Sequence, residues 1–220
     1  MNEEEFIKKS KEYLKKQLKR NFLLDDKLEK AFDRVPRELF FPSNNRVNAY
    51  QDNAFEIGFG QTISQPTMIF IMLNALEVNR SHKVLEIGTG SGYLTALLCE
   101  LSFFVYSIER IEALAKVAKE RLENLGYTNF KIFVGDGSLG LRDYAPYDRI
   151  IVSASAPKIP KTLVDQLSKD GGILVIPIGG KELQRLNIIK RFSDQIEIVE
   201  KIPCRFVPLI GEEGFREDEF

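Results

Sequence analysis

The sequence predicts an α/β domain: a doubly wound, mostly parallel sheet, preceded by N-terminal helices and closed by an antiparallel C-terminal edge. Three observations lead there. From Lys83 onward, short apolar runs alternate with segments of helical period, as a parallel sheet covered on both faces requires. The stretch Val84-Leu85-Glu86-Ile87-Gly88-Thr89-Gly90-Ser91-Gly92-Tyr93-Leu94 reads as strand, tight loop and helix. Two alternating segments, 184–192 and 195–202, flank Ser193-Asp194 and read as a terminal hairpin.

Taken in order, residues 3–20 have the pattern of an amphipathic helix, with Phe6, Ile7, Tyr13, Leu14 and Leu18 near one stripe. A second short helix follows Asp25-Asp26, either of which can cap it, and presents Leu28, Ala31 and Phe32. Val35-Pro36 ends it, because proline disfavours helix at the residue before it. Residues 43–66 show little periodicity, and a long irregular segment in a compact domain is often functional. Within it, Gly58-Phe59-Gly60-Gln61-Thr62-Ile63-Ser64-Gln65-Pro66 surrounds one apolar side chain with two hydroxyls and two amides. Read as plain structure, this is a polar loop in which Ser64 or Thr67 caps a helix carrying Met68, Ile69, Met72, Leu73 and Leu76. Strands are expected at 83–87, 103–108, 130–134, 150–152 and 172–178. Helices are expected at 93–101, 112–125 and 160–168, with Gly126 stopping the second. The acidic segment 212–220 is expected to be partly mobile. The whole chain, 1–220, is expected to form one domain, with residues 1–82 giving the helices and loop, and 83–220 the sheet and hairpin.

Composition removes several function classes. A hydrophobic content of 44% and a charged content of 29% suit a soluble globular chain. The net charge of −1 gives no support to a basic nucleic-acid surface, and leaves a local basic patch open. Cys99 and Cys204 lie far apart with no metal-type spacing, and two idle thiols fit a reducing compartment. The single histidine, His82, sits in the polar run Asn79 to Lys83 and reads as a satisfied surface residue. Nucleophilic systems built on histidine, and zinc sites, are therefore not expected. No apolar run approaches a membrane span of roughly 20 residues. Asn2-Glu3-Glu4-Glu5 is acidic where a signal peptide is basic, so the expected location is cytoplasmic.

The candidate site gathers at inferred strand ends. Glycines at 88, 90 and 92 let a ligand approach backbone N–H groups at a helix N-terminus. The dinucleotide fingerprint G-x-G-x-x-G fails in both registers, since its third glycine falls on Tyr93 or Thr95. Glu86, two residues before the first glycine, suits a cationic ligand rather than a phosphate. Glu109 follows 23 residues later, placed to accept from two ribose hydroxyls. Asp136-Gly137 ends the third strand, where an acceptor can meet an adenine amino group.

The stretch 84–94 resembles motif I of the class I methyltransferases, whose fold is Rossmann-like and which bind S-adenosylmethionine, a sulfonium cation. Nearly the whole chain is similar to the protein-L-isoaspartate O-methyltransferases. The similarity is carried by Val35-Pro36-Arg37-Glu38-Leu39-Phe40, the segment 57–66, motif I, Gly135-Asp136-Gly137, Asp148 to Ala154, and Arg205-Phe206-Val207-Pro208-Leu209. The resemblance implies methyl transfer from S-adenosyl-L-methionine to the α-carboxyl of L-isoaspartyl residues in aged proteins, leaving S-adenosyl-L-homocysteine. It implies Ser64 as the active-site serine. It implies cofactor contacts from Gln61, Thr62, Ile63, Ser64, Glu86, Gly88, Thr89, Gly90, Gly92, Glu109, Arg110, Asp136 and Gly137. Substrate contacts would come from Ile63, Ser64, Val207, Pro208 and Leu209, with no metal. Some members carry a threonine after Val-Pro-Leu; here Ile210 stands there, and that contact is not carried over. The expected partners are isoaspartyl-containing proteins and peptides, with neither nucleic acid nor membrane, and the chain is expected to act as a monomer. Two rival readings fit the same residues: a methyltransferase with another acceptor, such as RNA or a small molecule, and a non-catalytic module that keeps the cofactor pocket.

Overall fold

The structure is a computed structural model that describes residues 2–219; Met1 and Phe220 lie outside the described residues. Helix α1 (Glu3–Arg20) is capped by Asn2, whose side chain accepts from the Glu5 N–H. Acids fill its first turn and Lys19 and Arg20 its last, the order a helix dipole favours. Leu14 and Leu18 are buried, but Phe6 and Tyr13 are 41% and 64% exposed, contrary to the expected stripe. Each precedes a stripe position by one residue, which turns it about 100° around the helix. Helix α2 (Asp26–Arg34) is capped by Asp25, buries Leu28, Ala31 and Phe32, and stops before Pro36.

The segment expected to be irregular is partly ordered. Helical turns occupy Arg37–Phe40 and Ser43–Asn48, and a hairpin follows, β1 (Phe55–Gly58) with β2 (Gln61–Ile63). Gly58, Phe59 and Gly60 at its tip all have positive φ, which two glycines make accessible. Helix α3 (Pro66–Leu76) starts without the expected cap from Ser64 or Thr67. Asp52 takes that role from outside the helix, accepting from Thr67 N at 2.8 Å and Thr67 Oγ1 at 2.7 Å.

The main sheet contains β3 (Lys83–Ile87), β4 (Phe104–Glu109), β5 (Phe130–Val134), β6 (Arg149–Val152), β7 (Asp170–Gly179), β8 (Gln184–Phe192) and β9 (Gln195–Cys204). Their order is β5-β4-β3-β6-β7-β8-β9, parallel from β5 through β7 and antiparallel over the last two pairings. Helices α4 (Tyr93–Leu101) and α5 (Glu112–Asn124) provide the crossovers after β3 and β4. Helix α6 (Lys161–Asp165) is shorter than expected, because Gln166 and Ser168 hydrogen-bond the main chain of Tyr147 instead of continuing the helix.

Strand alternation divides the core. Val84, Val105, Ile151 and Val175 face the helices α1 to α4, in one cluster with Leu14, Phe32, Phe70 and Leu97. Leu85, Ile87, Ile150, Val152, Leu174 and Ile176 face the other side, with Leu163 of α6. The chain leaves β3 toward β4 and β5, then returns to place β6 on its other flank. That reversal opens a crevice at the carboxyl ends of β3 and β6.

The acidic C-terminal segment is tied down rather than loose over its first residues. Glu212 N donates to Asp136, Glu213 N donates to Ser138 Oγ, and the Glu213 carboxylate accepts from Thr162 N and Oγ1.

Candidate active site

The crevice is lined by four strand ends and two returning segments. Ile87, Gly88 and Gly90 come from β3 and its loop, Glu109 and Arg110 from β4, Gly137 from the turn after β5, and Ser153 and Ala154 from β6. Gln61 and Thr62 of the hairpin and Val207 to Ile210 form the other walls. A second cavity adjoins it, lined by Thr62, Ser64, Gln65, Met68, Ser153, Arg205, Phe206 and Val207 among others. A small inner space lies between Thr62-Ile63-Ser64 and Gly88 to Ser91. Thr62 and Ser153 border all three spaces and mark where they meet.

The loop after β3 is shaped by its glycines. Gly88 and Gly90 have φ of +89° and +54°, values L residues rarely adopt, and present no Cβ. Glu109 locks the loop from the neighbouring strand: Oε2 accepts from Gly90 N at 2.9 Å and Oε1 from Ile111 N at 3.0 Å. Each carboxylate oxygen keeps a second lone pair. A side chain that is 7% exposed, fixed at both oxygens and bordering the crevice is a preorganised acceptor pair. Arg110 also borders the crevice, and its Nη1 pairs with Glu217 at 2.9 Å on the surface.

Three expected contacts border none of the three spaces. Glu86 lies wholly buried on the α4 side of β3, because strand alternation points it away from the crevice that Ile87 borders. Its Oε2 accepts from Thr95 Oγ1 at 2.6 Å and Ser107 Oγ at 2.7 Å. Ser107 is in turn 2.6 Å from Thr89 Oγ1, so Glu86 supports the loop from beneath. Burial pushes its carboxyl up to about 8, the two hydroxyls opposing that rise and the Glu109 charge adding to it. Gly92 is the N-cap residue before α4 and borders none of the three spaces; a Cβ there would stand 3.2 Å from Ala118 Cβ. The missing Cβ lets the start of α4 approach α5 closely. Asp136 also borders none of them, although Gly137 beside it does. Its Oδ1 accepts from Ser138 N and Ser138 Oγ, and its Oδ2 from Glu212 N, which ties the C-terminal segment to this turn.

The remaining candidates converge. Gln61, Thr62, Gly88, Gly90, Glu109, Arg110, Gly137, Val207, Pro208 and Leu209 share the crevice. Ile63, Ser64 and Thr89 share the inner space, and Ser64 also opens onto the second cavity. Ile210 borders the crevice as an apolar side chain. Val207 to Leu209 run extended, held along one edge by Ser155, whose N donates to Val207 O and whose carbonyl accepts from Leu209 N, both at 2.8 Å. Sequence reasoning missed Ser153 as a site residue. Its signal was its place directly after the strand that borders β3, within the segment 148–154. His82 is a turn residue, its Nδ1 accepting from Asn79 N. No group of three or more metal-ligating side chains occurs among the described residues, and no described helix is long and apolar enough to cross a membrane.

A doubly wound sheet with a glycine loop after its central strand, and an acid fixed at the end of the next, defines a class I methyltransferase of the S-adenosylmethionine-binding type. Comparison with known proteins narrows this. The family model for protein-L-isoaspartate(D-aspartate) O-methyltransferase matches residues 8–214. A protein-L-isoaspartate O-methyltransferase from Petrotoga mobilis is 48% identical over 213 residues, covering 96% of this chain and 100% of the relative. One from Dictyoglomus thermophilum is 46% identical over 200 residues, covering 91% and 90%. A solved structure described as a protein-L-isoaspartate O-methyltransferase superposes with a TM-score of 0.81 at 28% identity, over 92% of this chain and 66% of that one. A Plasmodium falciparum crystal structure described as such an enzyme in complex with S-adenosyl-L-homocysteine gives 0.78 at 28% identity, covering 90% and 97%. The chain belongs to the protein-L-isoaspartate O-methyltransferase family.

Proposed function

We infer that this protein transfers the methyl group of S-adenosyl-L-methionine to the α-carboxyl of L-isoaspartyl residues in damaged proteins and peptides. The observation that carries this reading is the meeting of three spaces at Thr62 and Ser153, with the glycine loop and Glu109 on one side and Ser64 on the other. The residues fit the cofactor: the loop has no Cβ at Gly88 and Gly90, and Glu109 offers two fixed acceptors. When bound, S-adenosyl-L-methionine supplies a methyl group activated on a sulfonium. Gln61, Thr62, Gly88, Gly90, Glu109, Arg110 and Gly137 would hold it, with Ile63, Ser64 and Thr89 closing the inner side.

The acceptor side follows from the chemistry of the substrate. An α-carboxyl has a reference pKa of about 3.5 and is already a nucleophile at neutral pH, so no general base is needed. The chain's task is to align that oxygen with the methyl. Thr62 and Ser64 are neutral hydroxyls, which orient a carboxylate without repelling it. Ser64 is free for this, since Asp52 rather than Ser64 serves the start of α3. We assign Ser64 as the hydrogen-bonding catalytic residue. Val207-Pro208-Leu209 forms the peptide-holding wall opposite the hairpin. The methyl ester formed then closes to a succinimide when the following backbone nitrogen attacks it, releasing methanol. We place this activity in one domain spanning 1–220, acting as a monomer. Cys99 and Cys204, both unpaired thiols, support a cytoplasmic setting.

Isoaspartyl and aspartyl peptides carry the same charge, so selection rests on geometry. A displacement of about 1 Å costs on the order of 100-fold in rate. Methyl incorporation into paired isoaspartyl and aspartyl peptides of equal sequence is expected to favour the former by about that factor or more. Equal methylation of both would leave only an unspecific carboxyl methyltransferase, and uptake confined to RNA would replace the reading altogether.

A further inference from the structure

Arg37 is wholly buried although it carries a charge. Its hydrogen bonds go to main-chain carbonyls: Nε donates to Ala49 O at 2.7 Å and Nη2 to Ser64 O at 2.8 Å. Its guanidinium lies 4.6 Å from the ring centroid of Tyr93 and 5.4 Å from that of Phe41. Tyr93 is the first residue of α4, directly after the glycine loop. Tyr50 accepts from the Arg37 N–H and donates to Glu38, fixing the turn from which the side chain extends. A second link runs parallel to this one. Arg121 of α5 lies over Phe40 and donates to Ser91 O in the glycine loop, while Phe40 packs edge-on against Tyr93.

Burying an arginine is costly, here with Nη1 left without a hydrogen-bond partner, and stacking on aromatic rings suits a guanidinium better than an ammonium. A core position that needed only volume would be filled by an apolar residue. What Arg37 does that no apolar residue can is bind the carbonyl of Ser64 while resting on the ring that starts the cofactor-side helix.

We propose that Arg37 is a positioning residue for methyl transfer: it sets the distance between the Ser64 loop and the glycine loop, so that the acceptor hydroxyl stands in register with the bound cofactor. The proposal rests on the reading of Ser64 as the residue that orients the substrate carboxylate. Arg37 touches neither ligand and acts through the Ser64 main chain. Its loss lets the Ser64 loop shift while the Glu109 and glycine-loop contacts stay. The signature is a fall in kcat with little change in cofactor affinity, and an effect shared with that of Ser64.

The test is a four-enzyme cycle of wild type, Arg37→Met, Ser64→Ala and the double variant. It reads kcat and KM on an isoaspartyl peptide, the Kd of S-adenosyl-L-homocysteine by calorimetry, and melting temperature. Arg37→Met is expected to lower kcat by about 100-fold, the scale of a 1 Å misplacement, with Kd changed less than about threefold. The double variant is expected to lose far less than the product of the two single losses, because both act on one alignment. Arg37→Lys, which keeps the charge but cannot reach both carbonyls from one planar fork, is expected to recover only part of kcat, and it carries the test if the Met variant does not fold. A folded Arg37 variant with wild-type kcat, or single losses that multiply in full, would overturn the proposal. Wild-type turnover in Ser64→Ala would instead remove the Ser64 reading. In that case a kcat-specific loss in Arg37→Met would still show that the loop needs its guanidinium.

Discussion

Replacing Glu109 by glutamine changes one atom type and tests the cofactor side directly. The carboxylate accepts one backbone N–H at each oxygen, from Gly90 and Ile111, keeps a second lone pair on each, and borders the crevice. Glutamine supplies one oxygen and one NH2 group. Whichever way the amide is turned, the NH2 faces a backbone N–H about 3 Å away, donor against donor. The free protein therefore loses one satisfied N–H in a site where the side chain is only 7% exposed. That costs about 1–3 kcal/mol, or roughly 2–12 °C in melting temperature for a chain of this size. The bound state loses more, because one of the two acceptors for the ribose hydroxyls is gone and the negative charge with it. A hydrogen bond to a charged group contributes about 1.5–3 kcal/mol, so the Kd of S-adenosyl-L-homocysteine should rise about 10- to 150-fold. Calorimetric titration of the folded variant measures this. A Kd within about threefold of wild type, with the melting transition intact, would refute the assignment of Glu109 to the cofactor.

Two further outcomes test expected contacts that border none of the three spaces. Glu86 titrates near 8 in the folded protein against an ordinary value of about 4.5, so between these limits the native state holds a proton that the unfolded chain has released. Stability should therefore fall as pH rises through that window, by at most about 1.4 kcal/mol per pH unit, and Glu86→Gln should remove that dependence. Melting curves of both proteins from about pH 5 to 8.5 check this, and a constant difference between them would show that Glu86 does not titrate in the window. Gly92→Ala places a Cβ 3.2 Å from Ala118 on a residue with φ of +88°. It should cost about 1–2 kcal/mol of stability while leaving S-adenosyl-L-homocysteine affinity nearly unchanged; weakened binding with an unchanged melting temperature would return Gly92 to the cofactor site.

The parts legible in the sequence were those governed by short-range physics. Period-two and period-3.6 patterns gave β3, α4, β5 and the β8–β9 hairpin to within a residue or two, since local burial alternation is written directly in residue type. The Asp25 cap, the stop before Pro36 and the glycine loop follow from backbone chemistry at single positions. Glu109 was legible because strand ends in a doubly wound sheet must face one crevice. What tertiary structure alone decided was which polar side chains already had partners within the protein. Glu86, Gly92 and Asp136 look like ligand residues by type and spacing, yet one feeds a buried hydroxyl network, one admits a neighbouring helix and one anchors a segment 76 residues away. Asp52 caps a helix 15 residues on, and Arg37 reaches 27 residues to the Ser64 carbonyl. These bonds join positions whose separation in sequence carries no period, so their partners exist only once the core has brought the segments together.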